Sequence, residues 1–393
     1  MKTWHIPTII VVTITFLVVL IYVYNNRLTQ SIQFNAHPVT EEFIESNQAL
    51  KDKDTINILI IDGGGIRGLI PLYVLQHIER EAGKPIDELF DVFSGASIGA
   101  IIATGLNVPH IPTHNSATEG QNIHSKSDKI IQIYKDESEY LFSVPWYHKI
   151  LTANGLLSPR FIGERLSNVM EENYTKEMNF TDLKNYVIVP SLNIHTGQLT
   201  LFKNRGKEVT NLPTNTLYQL VTAASSAESL FPPVEFMTKD QDIRHRYFAD
   251  AGIDANNPAS IVLLDIIREF PGKNYYVLIL GAGTSPLKTM DASYKKVKNW
   301  GKISWTQDLI SNVQRSMDSQ QLYTLEIARS LSPKGKIDYN YLNIEINNPY
   351  VAIFDYKSVD KLETLGEKLI NENQAELDQV LKHLQQGNKG GSK

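Results

Sequence analysis

The chain has no cysteine among its 393 residues, which excludes disulfides, thiolate catalysis, cysteine-ligated metals and attachment through a lipid-modified cysteine. It also lacks a strong charge balance of either sign. Thirty-eight basic side chains stand against 43 acidic ones, for a formal net charge of −5, and the basic residues are scattered. With no basic patch to meet a phosphate backbone, no nucleic acid partner is expected. Histidine is scarce as well, at 10 residues, and this shortage bears on the choice of catalytic base below.

Apolar side chains are plentiful, at 42% of the chain. From Ile6 to Tyr24 the sequence is rich in Ile and Val and carries no charge. At about 1.5 Å rise per residue such a run matches a bilayer core of roughly 30 Å. It exceeds the ~7–15 apolar residues of a cleaved signal peptide, and no small-x-small site follows it. The expectation is therefore a single N-terminal transmembrane helix within residues 1–27, acting as an uncleaved anchor. Lys2 precedes the run and Arg27 follows it, which gives a slight positive-inside bias and places the rest of the chain outside the cytoplasm.

Residues 28–55 are polar, with mixed charge and no sustained period, and are expected to form a linker. The β-branched run Ile56–Ile61 then ends in a glycine-rich turn and predicts a buried strand, followed by helical spacing over 69–82. The pattern recurs: Phe90–Phe93 predicts a strand, a turn follows at Ser97, and Ile98–Leu106 predicts a helix. The polar stretch 107–126 is expected to be a surface insertion. Further strands are expected at 186–193, 199–203, 275–280 and 341–346, and one amphipathic helix covers Val359 to Leu384. Strands alternating with helices predict an α/β fold with a mainly parallel central sheet covered by helices on both faces. The whole of 56–385 is expected to be one catalytic domain, with a motif-bearing core at 56–283, its completion at 284–385, and a disordered polar tail at 386–393.

Three short motifs stand in order at expected strand ends. The first, Asp62-Gly63-Gly64-Gly65-Ile66-Arg67-Gly68, offers backbone N–H groups with no Cβ in the way, at a helix N-terminus that favours negative charge. Such a turn serves as an oxyanion hole, as a dinucleotide fingerprint or as a structural tight turn. Against a dinucleotide stand Asp62, placed where a pyrophosphate would approach, and the lack of a second βαβ strand ending in an acid. Asp62 itself is expected to bond the glycine turn. The second motif, Gly95-Ala96-Ser97-Ile98-Gly99, fits G-x-S-x-G, in which Gly95 and Gly99 flank a strained serine that projects above a sheet. Its chemistry is acyl transfer by a serine nucleophile.

Such a serine needs a base. After Asp250 the only histidine is His383, within the C-terminal amphipathic helix, a poor place for a triad member. His110, His114 and His124 are too loosely spaced, with no carboxylate pattern, to predict a metal site. The third motif, Asp250-Ala251-Gly252, supplies a carboxylate that can take the serine proton if burial brings its pKa toward the working pH; its bland alternative is a turn aspartate.

In this order the motifs resemble those of patatin-like phospholipases, and Phe90-Asp91-Val92-Phe93-Ser94 and Ala255-Asn256-Asn257-Pro258 are similar to that family as well. The resemblance covers roughly 56–283. It implies a lipid acyl hydrolase acting on phospholipid or lysophospholipid esters, with no metal or organic cofactor. Ser97 would be the nucleophile and Asp250 the general base, with the amides around Gly64 and Gly65 as oxyanion hole. Arg67 would order the glycine turn or meet a lipid phosphate. Ala251 stands where the family has glycine, which matters if the backbone there needs a positive φ. The aromatic stretch Tyr140, Phe142, Trp146 and Tyr147 is open to two uses, lipid contact or core packing. Two other classes fit the bare motifs: a non-catalytic membrane-tethered lipid-binding scaffold, and a nucleotide-binding protein built on the glycine turn.

Overall fold

Ile56, Ile58 and Ile60 face one side of a strand and Leu59 and Ile61 the other, and all five are fully buried. A strand with no polar face needs cover on both sides of its sheet. The computed structural model supplies it, describing residues 5–25, 31–35, 48–109, 125–206, 212–237, 247–284, 309–333, 335–346 and 354–387. The strands are β1 (Ile32–Asn35), β2 (Thr55–Ile61), β3 (Val92–Gly95), β4 (Tyr186–Asn193), β5 (Gln198–Lys203), β6 (Val234–Met237), β7 (Tyr247–Asp250), β8 (Asn274–Leu280) and β9 (Ile337–Leu342). They form one sheet of order β1-β6-β7-β4-β3-β2-β8-β9, with β5 beside β4.

The centre of the sheet is parallel, from β4 through β3, β2 and β8 to β9. Among the described residues the longer helices are α1 (His5–Val23), α2 (Leu69–Ala82), α3 (Ile98–Asn107), α4 (Lys126–Phe142), α5 (Gly163–Tyr174), α6 (Leu217–Ser225), α7 (Ala259–Glu269), α8 (Leu309–Leu331), α9 (Val359–Glu372) and α10 (Gln374–Gly387). One face of the sheet packs on α2, α3 and α6, through Leu72, Ile102 and Leu220 among others, and the opposite face packs on α7, through Val262 and Leu263. The expected α/β architecture with a mainly parallel sheet is what forms.

One antiparallel detail positions the site. β4 runs on past the end of β3, whose Ser94 is level with Ile188. β7 returns antiparallel along that overhang, with Asn193 opposite Phe248 and Ser191 opposite Asp250. The C-terminal ends of β3 and β7 therefore approach each other although the strands run in opposite directions.

Several expectations shift. The segment expected as a polar linker holds β1, which pairs in parallel with β6; Ile32 is buried, and Phe34 packs edge-on against Tyr218 at 5.4 Å. Four residues are too few to establish a period among polar neighbours. The last strand is Ile337–Leu342 rather than 341–346, because Asp338 and Asn340 interrupt the apolar pattern on this edge strand. The C-terminal helix is two helices, broken at Asn373 (φ −121°, ψ 23°), whose Nδ2 donates to Leu369 O at 2.8 Å. The bulk of the expected insertion, 110–124 with its three histidines, lies outside the described residues, as does the tail beyond Gly387.

Helix α1 has exposed apolar side chains over its described part, among them Ile14, Phe16 and Val18. Side chains in it are described from residue 13 on, and among the described residues no helix is long and apolar enough to cross a membrane. The expected transmembrane helix thus has no support in the structure.

Because Ile32 sits in the folded body, Ile32→Ala should lower the free energy of unfolding by about 2–5 kcal/mol. Urea denaturation measures this, and a change below about 0.5 kcal/mol, the range of surface substitutions, would return residues 31–35 to the status of a linker.

Candidate active site

β3 ends at Gly95 and α3 begins at Ile98, so Ala96 and Ser97 alone turn the chain. Ser97 takes φ 55° and ψ −120°, a strained conformation for a residue with a side chain. The turn is this tight because Gly95 and Gly99 both lie against the backbone of β2. A methyl group on Gly95 would stand 2.6 Å from Ile61 O, and one on Gly99 would overlap that same carbonyl. Ala96 N–H donates to Ile61 O at 3.3 Å. One carbonyl at the end of β2 thus fixes the elbow that presents Ser97.

The glycine turn continues directly from that carbonyl. Asp62 N–H donates to Leu280 O at 2.9 Å, and Gly63 N–H donates to Asn256 O at 3.0 Å. Gly65 has φ 57°, in the left-handed region where glycine is favoured. Arg67 N–H donates to Gly64 O at 3.2 Å, within a 3-10 turn over Gly65–Gly68. Of the expected oxyanion amides, those of Gly63 and Arg67 are therefore taken, whereas those of Gly64 and Gly65 make no hydrogen bond among the described residues. Ile66 is buried, and Gly68 packs where a methyl would meet Ile98 Cγ1 at 2.7 Å. Arg67 is buried, and desolvation lowers its guanidinium to about 10, so it stays charged at neutral pH inside the turn rather than at a lipid surface.

Asp62 differs from expectation. It is buried and bonds not to the glycine turn but to β9, accepting from Tyr341 Oη at 3.1 Å on Oδ2, while Oδ1 has no partner. Burial, reinforced by the charge of Asp318, raises its carboxyl well above the ordinary range. Asn343 Nδ2 donates to Tyr341 Oη at 2.7 Å, and Asn343 Oδ1 accepts from Gly283 N–H at 2.9 Å. Sequence reasoning missed Tyr341 and Asn343, and no local signal marks them, because they reach the turn only through sheet pairing.

Asp250 ends β7 and is 1% exposed. Its N–H donates to Ser226 O at 3.0 Å, and its Oδ1 accepts Gly252 N–H at 2.7 Å. Its Oδ2 is buried with no partner at hydrogen-bonding distance among the described residues. Desolvation raises the carboxyl to about 7; the Ser97 hydroxyl and the Gly252 amide pull it down, and Glu228 pushes it up. Ser97 is thus close enough to act on the carboxylate without closing a short bond, which is common for catalytic pairs before substrate binds. Ala251 is fully buried and is not among the residues of positive φ, so its methyl causes no strain of that kind. The loop that follows is tied back by Ala255 N–H to Ala251 O at 2.7 Å.

His383 lies elsewhere. Its Nε2 is 3.1 Å from Asn57 Oδ1, and its ring stacks on Tyr276 at 3.9 Å. Asn57 is near the start of β2, the end of the sheet opposite Ser97. A cavity lined by Ser97 and Gly65 runs between α3, α4 and α5, with Ile98, Ile130, Leu166 and Phe231 among its walls. Its lining is largely apolar. Phe142 also lines it, whereas Tyr140, Trp146 and Tyr147 are exposed.

A family model for patatin-like phospholipase matches residues 59–263. A cGAMP-activated phospholipase of Escherichia coli is 27% identical over 349 residues, covering 83% of this chain and 92% of that protein. Patatin-like protein 3 of Arabidopsis thaliana is 24% identical over 367 residues, covering 84% of each. A cGAMP-activated phospholipase of Vibrio cholerae is 27% identical over 341 residues, covering 81% of this chain and 92% of its own length. With more than 80% of the chain covered, these similarities extend well beyond the last of the three motifs.

The Ile61 carbonyl gives a direct test of the elbow. Gly99→Ala should cost about 1–3 kcal/mol through overpacking and should displace Ser97. Circular dichroism of the folded variant, together with its rate of labelling by a fluorophosphonate, measures both effects. Wild-type labelling in Gly99→Ala would show that the close approach does not position the serine.

Proposed function

The chain belongs to the patatin-like phospholipase family and is a lipid acyl hydrolase, and on that premise we propose that Ser97 and Asp250 are its catalytic dyad, acting on acyl esters of phospholipids or lysophospholipids. The observation that carries this reading is the pairing of a strained serine with a buried, half-satisfied carboxylate held near pKa 7, beside an apolar cavity.

In the proposed reaction the acyl chain lies in the cavity and the ester carbonyl oxygen meets the amides of Gly64 and Gly65. Ser97 Oγ attacks the carbonyl carbon while Asp250 takes its proton. The tetrahedral oxyanion is held by the two amides, and the N-terminus of α3 adds its partial positive charge. Collapse breaks the ester bond, and Asp250 returns the proton to the departing alcohol. Water then attacks the acyl-serine with Asp250 again accepting the proton, and fatty acid leaves as Ser97 is restored. We further propose that the uncharged run 6–24 tethers the enzyme to the membrane that holds its substrate; its lack of charge and its exposed apolar side chains support this.

Asp250 must be ionised to accept a proton, and burial raises its pKa to about 7. Log kcat/KM should therefore be level above that pH and fall about tenfold per unit below it. A profile that stays flat down to pH 5 would remove Asp250 from the role. Ser97→Ala should abolish fluorophosphonate labelling and lower turnover by roughly 10⁴-fold or more, and Asp250→Asn should lower it by about 10²–10⁴-fold. His383→Ala should leave turnover intact. Each assay is run with and without cGAMP, because two of the relatives are named as activated by it. A folded wild type that neither labels nor hydrolyses under both conditions points to the scaffold reading. Saturable nucleotide binding in that unlabelled protein points to the nucleotide reading.

A further inference from the structure

Between α4 and α5 a short helix, Trp146–Leu151, and a 3-10 turn, Ala153–Gly155, carry a cluster of large apolar side chains with no cover. Trp146 is 74% exposed and Leu156 84%, and Tyr147, Ile150 and Leu157 are exposed with them. Isolated surface hydrophobics are ordinary, but five within twelve positions form a patch. The surrounding stretch 143–160 contains no Asp or Glu, while it includes Lys149 and Arg160.

Two further observations say what covers this patch. First, the end of α1 is fastened to it: Tyr24 Oη is 2.6 Å from His148 Nδ1, and Asn25 Nδ2 donates to Leu151 O at 3.1 Å. Ser158 Oγ also donates to Asn25 Oδ1. The apolar surface of α1 and the apolar patch therefore meet at one corner of the molecule. Second, the patch is bracketed by the cavity wall. Phe142 precedes it and lines the cavity; Phe161 follows it and stacks at 5.4 Å on both Phe142 and Phe231, the latter another lining residue.

We propose that the Trp146–Leu157 surface is a bilayer-docking face, which inserts shallowly into a phospholipid leaflet beside α1 and sets the acyl cavity against the lipid. Tryptophan and tyrosine are suited to the headgroup level, with Leu156, Leu157 and Ile150 reaching the acyl layer. The absence of acids, with Lys149 and Arg160 present, removes repulsion from anionic lipids. The proposal rests on the reading that the substrate is a bilayer lipid. It goes beyond that reading in naming a surface that does no chemistry yet brings the site to its substrate.

The absence of cysteine makes the test direct, since one introduced thiol labels one place. The full chain bearing Leu156→Cys, labelled with an environment-sensitive fluorophore, is reconstituted in vesicles of phosphatidylcholine and phosphatidylglycerol that contain brominated lipid. Quenching at position 156, and none at the control Leu331→Cys on the exposed end of α8, is the expected result. No quenching at 156 overturns the proposal. So does a spectral shift that follows protein concentration without lipid, which would assign the patch to a second copy of the chain. In parallel, the triple variant Trp146→Asp, Leu156→Asp, Leu157→Asp should lose roughly tenfold in hydrolysis of vesicle phospholipid, while cleaving a soluble short-chain ester within about twofold of wild type. Equal losses on both substrates overturn the proposal. Failure of the dyad appears differently, as hydrolysis that survives Ser97→Ala while lipid still quenches the probe at 156.

Discussion

The carbonyl of Ile61 is the point on which the site depends. It ends β2, a strand buried on both faces, accepts from Ala96, and is approached by Gly95 and Gly99 more closely than any side chain would permit. Because that contact holds β3 and the start of α3 against β2, Ser97 has no relaxed conformation open to it and stays at φ 55°. The glycine turn begins one residue later, so its free amides are placed from the same atom. Asn256 O closes the circuit by accepting from Gly63, which joins the loop behind Asp250 to the turn. Three motifs separated by up to two hundred residues are thus tied by main-chain contacts, whose geometry does not depend on flexible side chains.

The carboxylate is governed by a different balance. Burying an ion without full hydrogen bonding is costly, and the group responds by moving its pKa rather than by carrying the whole penalty. Asp250 has one oxygen satisfied by the Gly252 amide and the other left without a close partner. Two more donors on Oδ2 would return the carboxyl toward its ordinary range and weaken it as a base; an apolar wall with no donor at all would keep it protonated. A carboxyl raised by burial to about 7 lies between those limits. The same economy explains why Ala251 is tolerated, since what this loop needs is a small buried residue in ordinary backbone geometry rather than a left-handed one.

What could be read from the sequence followed from local rules. β2 and the helix after it, and the serine elbow, each rest on patterns within a dozen residues, and each forms where expected. The sheet edges were not legible for the opposite reason. β1 and β6 are four residues each, and β1 carries polar Gln33 and Asn35, so they become strands only by pairing, β1 with β6 and β6 with β7 as well. The partner of Asp62 was misassigned because proximity in sequence suggested the glycine turn, while the bond comes from Tyr341, 279 residues away. The exclusion of His383 was legible, and the structure adds its cause: the residue is occupied by Asn57 and Tyr276 at the far end of the sheet.

That long-range bond bears on how the chain is divided. The family match ends at residue 263, and the three motifs end at Gly252, so everything after them could be taken as an appendage. Yet the glycine turn is held on its outer side by atoms from beyond that limit. Leu280 O on β8 accepts from Asp62 N–H, and Tyr341 on β9 bonds the Asp62 carboxyl. Gly64 is pressed against Ala282, where a methyl would overlap the Ala282 side chain. Asn343 then links Tyr341 to the loop after β8 through Gly283. A chain cut after the last motif would keep Ser97 and Asp250 but would lose the wall against which the glycine turn is set. In physical terms the candidate site is completed by the last two parallel strands, and the motif-bearing core does not by itself set the glycine turn.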